Sequence, residues 1–167
     1  MTVDAADSVD ARFARATEPT PLRDRVVLVT GAGSGLGAAV CRVLGAAGAI
    51  VVAADLDHAS AAATVSRVEG AGGRASAHEL DVRDADSADA TVRDAIERFG
   101  RLDVLVNNAG TDVTKPFDEM TEIEFDRVLD VNLRGPAVMT RASLSALRRT
   151  GGHIVNVCST AAKRAWP

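Results

Sequence analysis

Residues Val26 to Thr30 form an apolar run that passes without a spacer into Gly31-Ala32-Gly33-Ser34-Gly35-Leu36-Gly37, and alanine-rich helical sequence follows at once. No other feature limits the possible folds as strongly. The first turn of a helix leaves backbone N–H groups without partners and carries partial positive charge, so it attracts phosphate. A turn built on Gly31, Gly35 and Gly37 has no Cβ atoms there to hold a pyrophosphate away from its backbone. A second apolar run, Ile50 to Ala54, ends at Asp55. That places an acceptor roughly 20 residues beyond the turn, where an adenosine ribose would present its hydroxyls. Glycine turns also occur where nothing binds. Here the strand before, the helix after and the acid at the next strand's tip favour the phosphate-binding alternative.

Periodicity extends the pattern along the chain. Strands are predicted over residues 26–30, 50–55, 74–80, 104–107 and 153–158, with helices between them. Leu36, Val40, Val43, Leu44 and Ala47 recur at helical spacing over 36–47, as do Val92, Ile96 and Phe99 further on. Thr121-Glu122-Ile123-Glu124 has the form of a capping box, with Met120 and Phe125 placed as a hydrophobic staple, so a helix should start at Glu122. Another is expected over 135–149. Short apolar strands alternating with helices predict an α/β fold, a Rossmann doubly wound parallel sheet with helices on both faces and strand order 3-2-1-4-5. Ligands of such sheets lie at the carboxyl ends of the strands. Residues 1–24 lack periodicity and read as a flexible leader, leaving 25–167 as the domain.

Bulk properties remove several classes. With 167 residues and 47% hydrophobic content the chain can bury one core, and two full domains are not expected. A net charge of −4, with basic residues clustered only as Arg148-Arg149 and Lys163-Arg164, argues against a nucleic-acid partner. No apolar run approaches the ~18 residues of a membrane span, and the acidic N-terminus has no signal-peptide core. Cys41 and Cys158 are isolated, which fits a reducing compartment, and a cytoplasmic location is expected. His58, His78 and His153 lack metal-ligand spacing, so no metal site is expected. Cys158 has no base partner in the sequence and reads as a small buried thiol.

Further polar residues fall where predicted strands end. Asp81-Val82 follows the third strand and Asn107-Asn108-Ala109-Gly110 the fourth; Asn132 lies in Val131-Asn132-Leu133-Arg134-Gly135, and Ser159 follows Asn156-Val157-Cys158. With Thr30 to Gly37, these resemble in order the motif set of the short-chain dehydrogenases/reductases, over residues 22–167. The resemblance implies roles. Gly31, Ser34, Gly35, Leu36 and Gly37 would receive the cofactor diphosphate. Asp55, with Leu56 beside it, would take the adenosine ribose, and Asp81 and Val82 the adenine. Asn107, Ala109 and Gly110 would line the cofactor and brace the central strand. Asn132 would hold a water in a proton relay, and Ser159 would hydrogen-bond the substrate oxygen. NAD is expected in preference to NADP, because a 2′-phosphate beside Asp55 would be repelled and no cation follows that acid. The implied reaction is hydride transfer between NAD(H) and a small alcohol or carbonyl compound, by a family whose full-length members form homo-oligomers. Simpler alternatives stay open. Asp57 reads as a helix N-cap, Asp81 as a turn cap, Asn107 and Asn108 as turn residues bonding their own backbone, Asn132 as a helix C-cap and Ser159 as a small strand-end residue.

One departure from the family is chemical. Its proton donor is a tyrosine about thirteen positions beyond the serine, with a lysine one helical turn further on that lowers its pKa. The sequence contains no tyrosine. Counted from Ser159, that position falls past Pro167. The expectation is therefore a chain interrupted before its catalytic pair and lacking the family's last strands. Strand 153–158 would be left as an edge, and the isolated polypeptide would turn over no substrate. The alternative is a non-catalytic dinucleotide-binding or regulatory protein.

Overall fold

The valine-rich runs become the centre of a parallel sheet because only there do they find apolar cover on both faces. The computed structural model describes residues 22–159. β1 (Val26–Thr30) is buried throughout, and β2 (Ile50–Asp55) at every position but its last. β3 (Arg74–Glu79), β4 (Val104–Asn107) and β5 (His153–Asn156) complete a five-stranded sheet in the order β3-β2-β1-β4-β5, with every pairing parallel. Thr30 lies opposite Ala54, and Asp55 opposite Glu79, so the carboxyl ends of β1, β2 and β3 share one sheet edge. Chain direction across the sheet reverses between β1 and β4. A crevice opens at such a switch point.

Among the described residues, α1 (Gly35–Ala46), α2 (His58–Gly70), α3 (Ala85–Phe99) and α5 (Gly135–Thr150) pack on the sheet, while α4 (Glu122–Leu129) buries no residue and leads into α5. Alternation along the strands divides the core in two. Val26, Leu28 and Val52 face Val92, Met139 and Leu147 of α3 and α5. Val27, Val29 and Val51 face Cys41 and Val68 of α1 and α2. Both layers of the expected doubly wound arrangement are therefore present.

The local differences from the sequence pattern have physical causes. β3 stops at Glu79, short of residue 80, because its partner β2 ends opposite it at Asp55, and β5 stops at Asn156, short of residue 158, because β4 ends at Asn107 and offers it no further ladder. All four residues of β5 are exposed, and among the described residues it pairs with β4 alone. Cys158, expected to be buried, is exposed beyond that edge. α4 starts at Glu122 behind a reciprocal capping box of Thr121 and Glu124. The Phe125 ring packs edge-on against Phe117, with centroids 6.1 Å apart. A π turn over Asp130–Arg134 joins α4 to α5, so Asn132 lies inside a continuous helical path and is not a C-cap. Of the expected leader, residues 1–21 lie outside the described residues. Leu22 packs on the core and the Asp24 N–H donates to the Gly48 carbonyl at 3.1 Å, which ties these residues to the domain.

Two buried hydroxyls, Thr64 Oγ1 and Ser143 Oγ, have no hydrogen-bond partner. A buried hydroxyl without a partner is destabilising relative to a methyl of the same shape. Thr64→Val is therefore expected to raise stability by up to about 1 kcal/mol. Urea unfolding of variant and parent checks this, and a lower midpoint for the variant would contradict it.

Candidate functional site

Thr30, the last residue of β1, organises the switch point. Its Oγ1 accepts hydrogen bonds from the Asn108 and Ala109 amides, each at 3.0 Å, and donates to the Val106 carbonyl at 3.4 Å. The Asn108 side chain returns the connection, its Nδ2 donating to the Thr30 carbonyl at 2.9 Å and the Gly31 carbonyl at 3.1 Å. These bonds fix the ends of β1 and β4 relative to each other. Asn108 thus braces the turn, a role that its sequence position alone left as one turn residue among others.

The glycines have different reasons to be there. Gly31 has φ +63°, and an added Cβ would lie 2.8 Å from Ala109 Cα. At Gly37 the obstacle is the Gly31 carbonyl oxygen itself, so helix and turn pack backbone against backbone. Gly35 has φ +50°, and its Cβ would meet nothing within 4 Å. It would project into the open cradle in front of the helix. The first helical hydrogen bond of that turn runs from the Ala38 N–H to the Ser34 carbonyl at 3.1 Å. Ser34 provides no side-chain cap, and the first turn of α1 holds no acidic residue. The positive end of this helix is left for an anion from outside.

Asp55 stands across from it at the tip of β2. Its Oδ2 accepts from the Gly33 amide at 2.8 Å and its Oδ1 from the Asp57 amide at 3.0 Å, so the carboxylate is held in one orientation. Gly33, absent from the expected site residues, makes this possible. A Cβ there would lie 2.6 Å from Ser60 Cβ and 3.0 Å from the Asp55 carboxyl carbon. Asp57 caps α2, its side chain accepting from the Ala59 amide.

These parts surround an open cleft of about 620 Å³ at the carboxyl edge of the sheet. Gly31, Ser34, Gly35, Leu36, Gly37, Asp55, Leu56, Asp81, Val82, Ala109 and Gly110 line it, which brings together all the expected cofactor contacts but one. Leu36 and Leu56 are 57% and 64% exposed, presenting apolar surface suited to the flat faces of a ring system. Asp81 is both a turn cap and a cleft residue. Its carboxylate accepts from the Arg83 amide, and the Arg83 guanidinium beside it holds it below the usual carboxylate range.

Asn107 is the exception. It is 4% exposed and lies off the cleft wall, its Nδ2 donating to Asn156 Oδ1 at 2.8 Å across the β4–β5 ladder. Burial between two strands fits the bracing role expected of it. Asn132 and Ser159 also lie off the wall. Asn132 grips Thr111, donating to its carbonyl and accepting from its amide, both at 2.8 Å, and so pins the loop after β4. Ser159 is exposed beyond β5. Lys115 is paired with Glu124 at 2.6 Å, a contact that pulls the Glu124 carboxyl down to about 2. Lys163 lies outside the described residues. Arg83 and Arg127, absent from the expected site residues, also line the cleft. Nothing in the sequence marked them, since arginines just after a strand or on an amphipathic helix read as solvated surface.

Sheet order, glycine turn and the acid at the tip of β2 together define a doubly wound α/β domain with its ligand cleft at the switch point. A short chain dehydrogenase family model matches residues 25–167, and the chain belongs to that family. It is 39% identical over 145 residues to galactitol 2-dehydrogenase of Agrobacterium fabrum, covering 86% of this chain and 56% of that protein. To a 3β-hydroxysteroid dehydrogenase of Mediterraneibacter gnavus it is 37% identical over 145 residues, 86% of this chain and 52% of the relative. A solved structure from Burkholderia xenovorans, described as a short-chain dehydrogenase/reductase, superposes with a TM-score of 0.83 at 36% identity, covering 87% of this chain and 60% of the other. The chain thus spans little more than half the length of the curated relatives it matches. Membership in this oxidoreductase family implies a nicotinamide dinucleotide cofactor. Among the described residues, no helix is long and apolar enough to cross a membrane.

Proposed function

We propose that this chain holds NAD(H), in preference to NADP(H), as the cofactor-binding part of an enzyme that interconverts a small alcohol and its carbonyl compound. One observation carries the proposal: an uncapped, acid-free helix start faces the same cleft as a carboxylate oriented by two backbone amides. The amides opening α1 suit a diphosphate, and Asp55 suits ribose hydroxyls. A 2′-phosphate would approach that carboxylate, while the guanidinium of Arg83 is engaged by Asp81. The nicotinamide, when bound, carries the hydride.

Titration with NADH and NADPH tests this, with tighter NADH binding expected. Asp55→Ala should weaken NADH by about 1–3 kcal/mol, because ribose hydroxyls would lose their acceptor. Equal binding of both cofactors by the parent chain would refute the role given to Asp55.

The relatives' names speak of a sugar alcohol and a steroid, so the substrate class is no narrower than alcohol or carbonyl. Hydride transfer to a carbonyl leaves an alkoxide that needs a positioned acid. Ser159 and Asn132 are the residues proposed to meet substrate and proton relay, but neither is strong enough as an acid. With no tyrosine in the 167 residues and Lys115 in an ion pair, no turnover is expected from this polypeptide alone. The second reading is a non-catalytic dinucleotide-binding protein. Alcohol-dependent reduction of NAD by the purified chain would overturn both the expected inactivity and that second reading. Two cysteines outside any disulfide fit a cytoplasmic setting.

A further inference from the structure

Two arginines line the cleft, and they are differently occupied. Arg83 is forked on the Asp81 carboxylate. The Arg127 guanidinium makes no hydrogen bond or ion pair among the described residues. Its side chain is exposed and leaves α4 four residues before Val131, so the two share one helical face and both meet the cleft. Val82 and Val131 pack against the core and give that part of the cleft an apolar back, while Leu56, just after β2, is exposed beside it. The wall there is apolar where it is buried and cationic at its rim.

A slot of this composition suits a flat aromatic ring, whose inner face and edges the valines and Leu56 can cover. The outer face is left to water unless the rim closes on it. A guanidinium is planar and weakly hydrated and stacks on aromatic faces, whereas an ammonium group holds its water more tightly. The diphosphate has the amides opening α1 and the ribose has Asp55, so the base is the part of the dinucleotide left for Arg127. We infer that Arg127 is a further binding residue, which stacks on the outward face of the cofactor's adenine and closes the base end of the cleft. A stack on the ring face leaves the ring's edge, and the acceptor that Asp81 offers it, untouched. The inference rests on the dinucleotide lying in the cleft as proposed above.

Three substitutions separate a stack from a charge contact, because stacking needs a plane and a phosphate contact needs a cation. NADH titration of the full chain, followed by ligand fluorescence, is the measurement, with urea unfolding as a control on the fold. Arg127 is exposed and unpaired, so parental unfolding midpoints are expected throughout. Arg127→Ala should weaken NADH about five- to tenfold. Arg127→Lys keeps the charge without the plane and should stay within about twofold of Arg127→Ala. Arg127→Tyr supplies a neutral ring and should bind NADH within about threefold of the parent. If Arg127→Lys binds like the parent and Arg127→Tyr like Arg127→Ala, the guanidinium acts through its charge on a phosphate, and the inference is overturned while the cofactor assignment stands. Parental binding by Arg127→Ala overturns it equally. If NADH does not bind the parent chain, both fall.

Discussion

Gly37→Ala is expected to destabilise the domain by about 3 kcal/mol or more and to abolish measurable NADH binding, because the added methyl enters space filled by backbone. Its Cβ would run into the Gly31 carbonyl oxygen and lie 2.6 Å from Asn108 Nδ2. Neither neighbour can yield. Gly31 is held at φ +63° against Ala109, and the Asn108 amide is fixed by the Thr30 and Gly31 carbonyls. Relief requires lifting α1 off the turn, which moves the amides that would receive the diphosphate. Gly35→Ala serves as the contrast. Its methyl meets no atom within 4 Å, so the fold should lose only the roughly 1–2 kcal/mol of a left-handed alanine, while the cradle is filled. Urea unfolding and NADH titration of both variants separate the two effects. A Gly37→Ala protein with parental stability would show that the turn does not pack as described.

That contrast indicates what a sequence can and cannot announce. Gly31, Gly35 and Gly37 were visible as a spacing, but only the packing distinguishes the glycine demanded by a backbone carbonyl from the one demanded by an open cradle. Strand order and the two-faced core were legible because Val26, Leu28 and their alternating neighbours are apolar on both faces, a pattern that few environments other than a covered parallel sheet satisfy. The end of β5 was not, because its extent depends on where β4 stops and not on its own residues.

Within the site, legibility followed how far a residue's partners lie from it in sequence. Asp57 and Thr121 cap helices through neighbours two and three residues away, and local pattern identifies such roles. Asn107 pairs with Asn156, and Asn132 with Thr111, so their roles depend on contacts that one-dimensional spacing does not encode. Gly33 was hidden for the same reason, since its small size matters to Asp55 and Ser60. Arg83 is a different case. Its partner is two residues away, yet a cation beside an acid after a strand looks like ordinary surface until both are seen on the cleft wall.

At the opposite end of the sheet, Asp103→Asn is expected to cost about 2–4 kcal/mol at neutral pH, with no direct effect on the cleft. Asp103 is 3% exposed and joins three strands where they begin. Its Oδ2 accepts from the Val26 amide at 2.9 Å and Arg101 Nε at 2.8 Å, and its Oδ1 from Arg25 Nη1 at 2.8 Å and Arg101 Nη2 at 2.6 Å. Its own amide donates to the Val26 carbonyl and its carbonyl accepts from the His153 amide, each at 2.9 Å. Burial alone would push this carboxyl up, but the Arg101 hydrogen bonds, the Val26 amide and Arg25 more than reverse that and hold it below the ordinary value. A carboxyl depressed in the folded state stabilises fully above its unfolded value of about 3.9 and loses that contribution as pH falls through the folded one. The stability difference between parent and Asp103→Asn should therefore be level near neutrality and shrink below about pH 4. Urea unfolding of both proteins across that range is the check. A difference that stayed constant down to the lowest pH at which both fold would mean that the ionised carboxylate is not what ties the start of β4 to the start of β1.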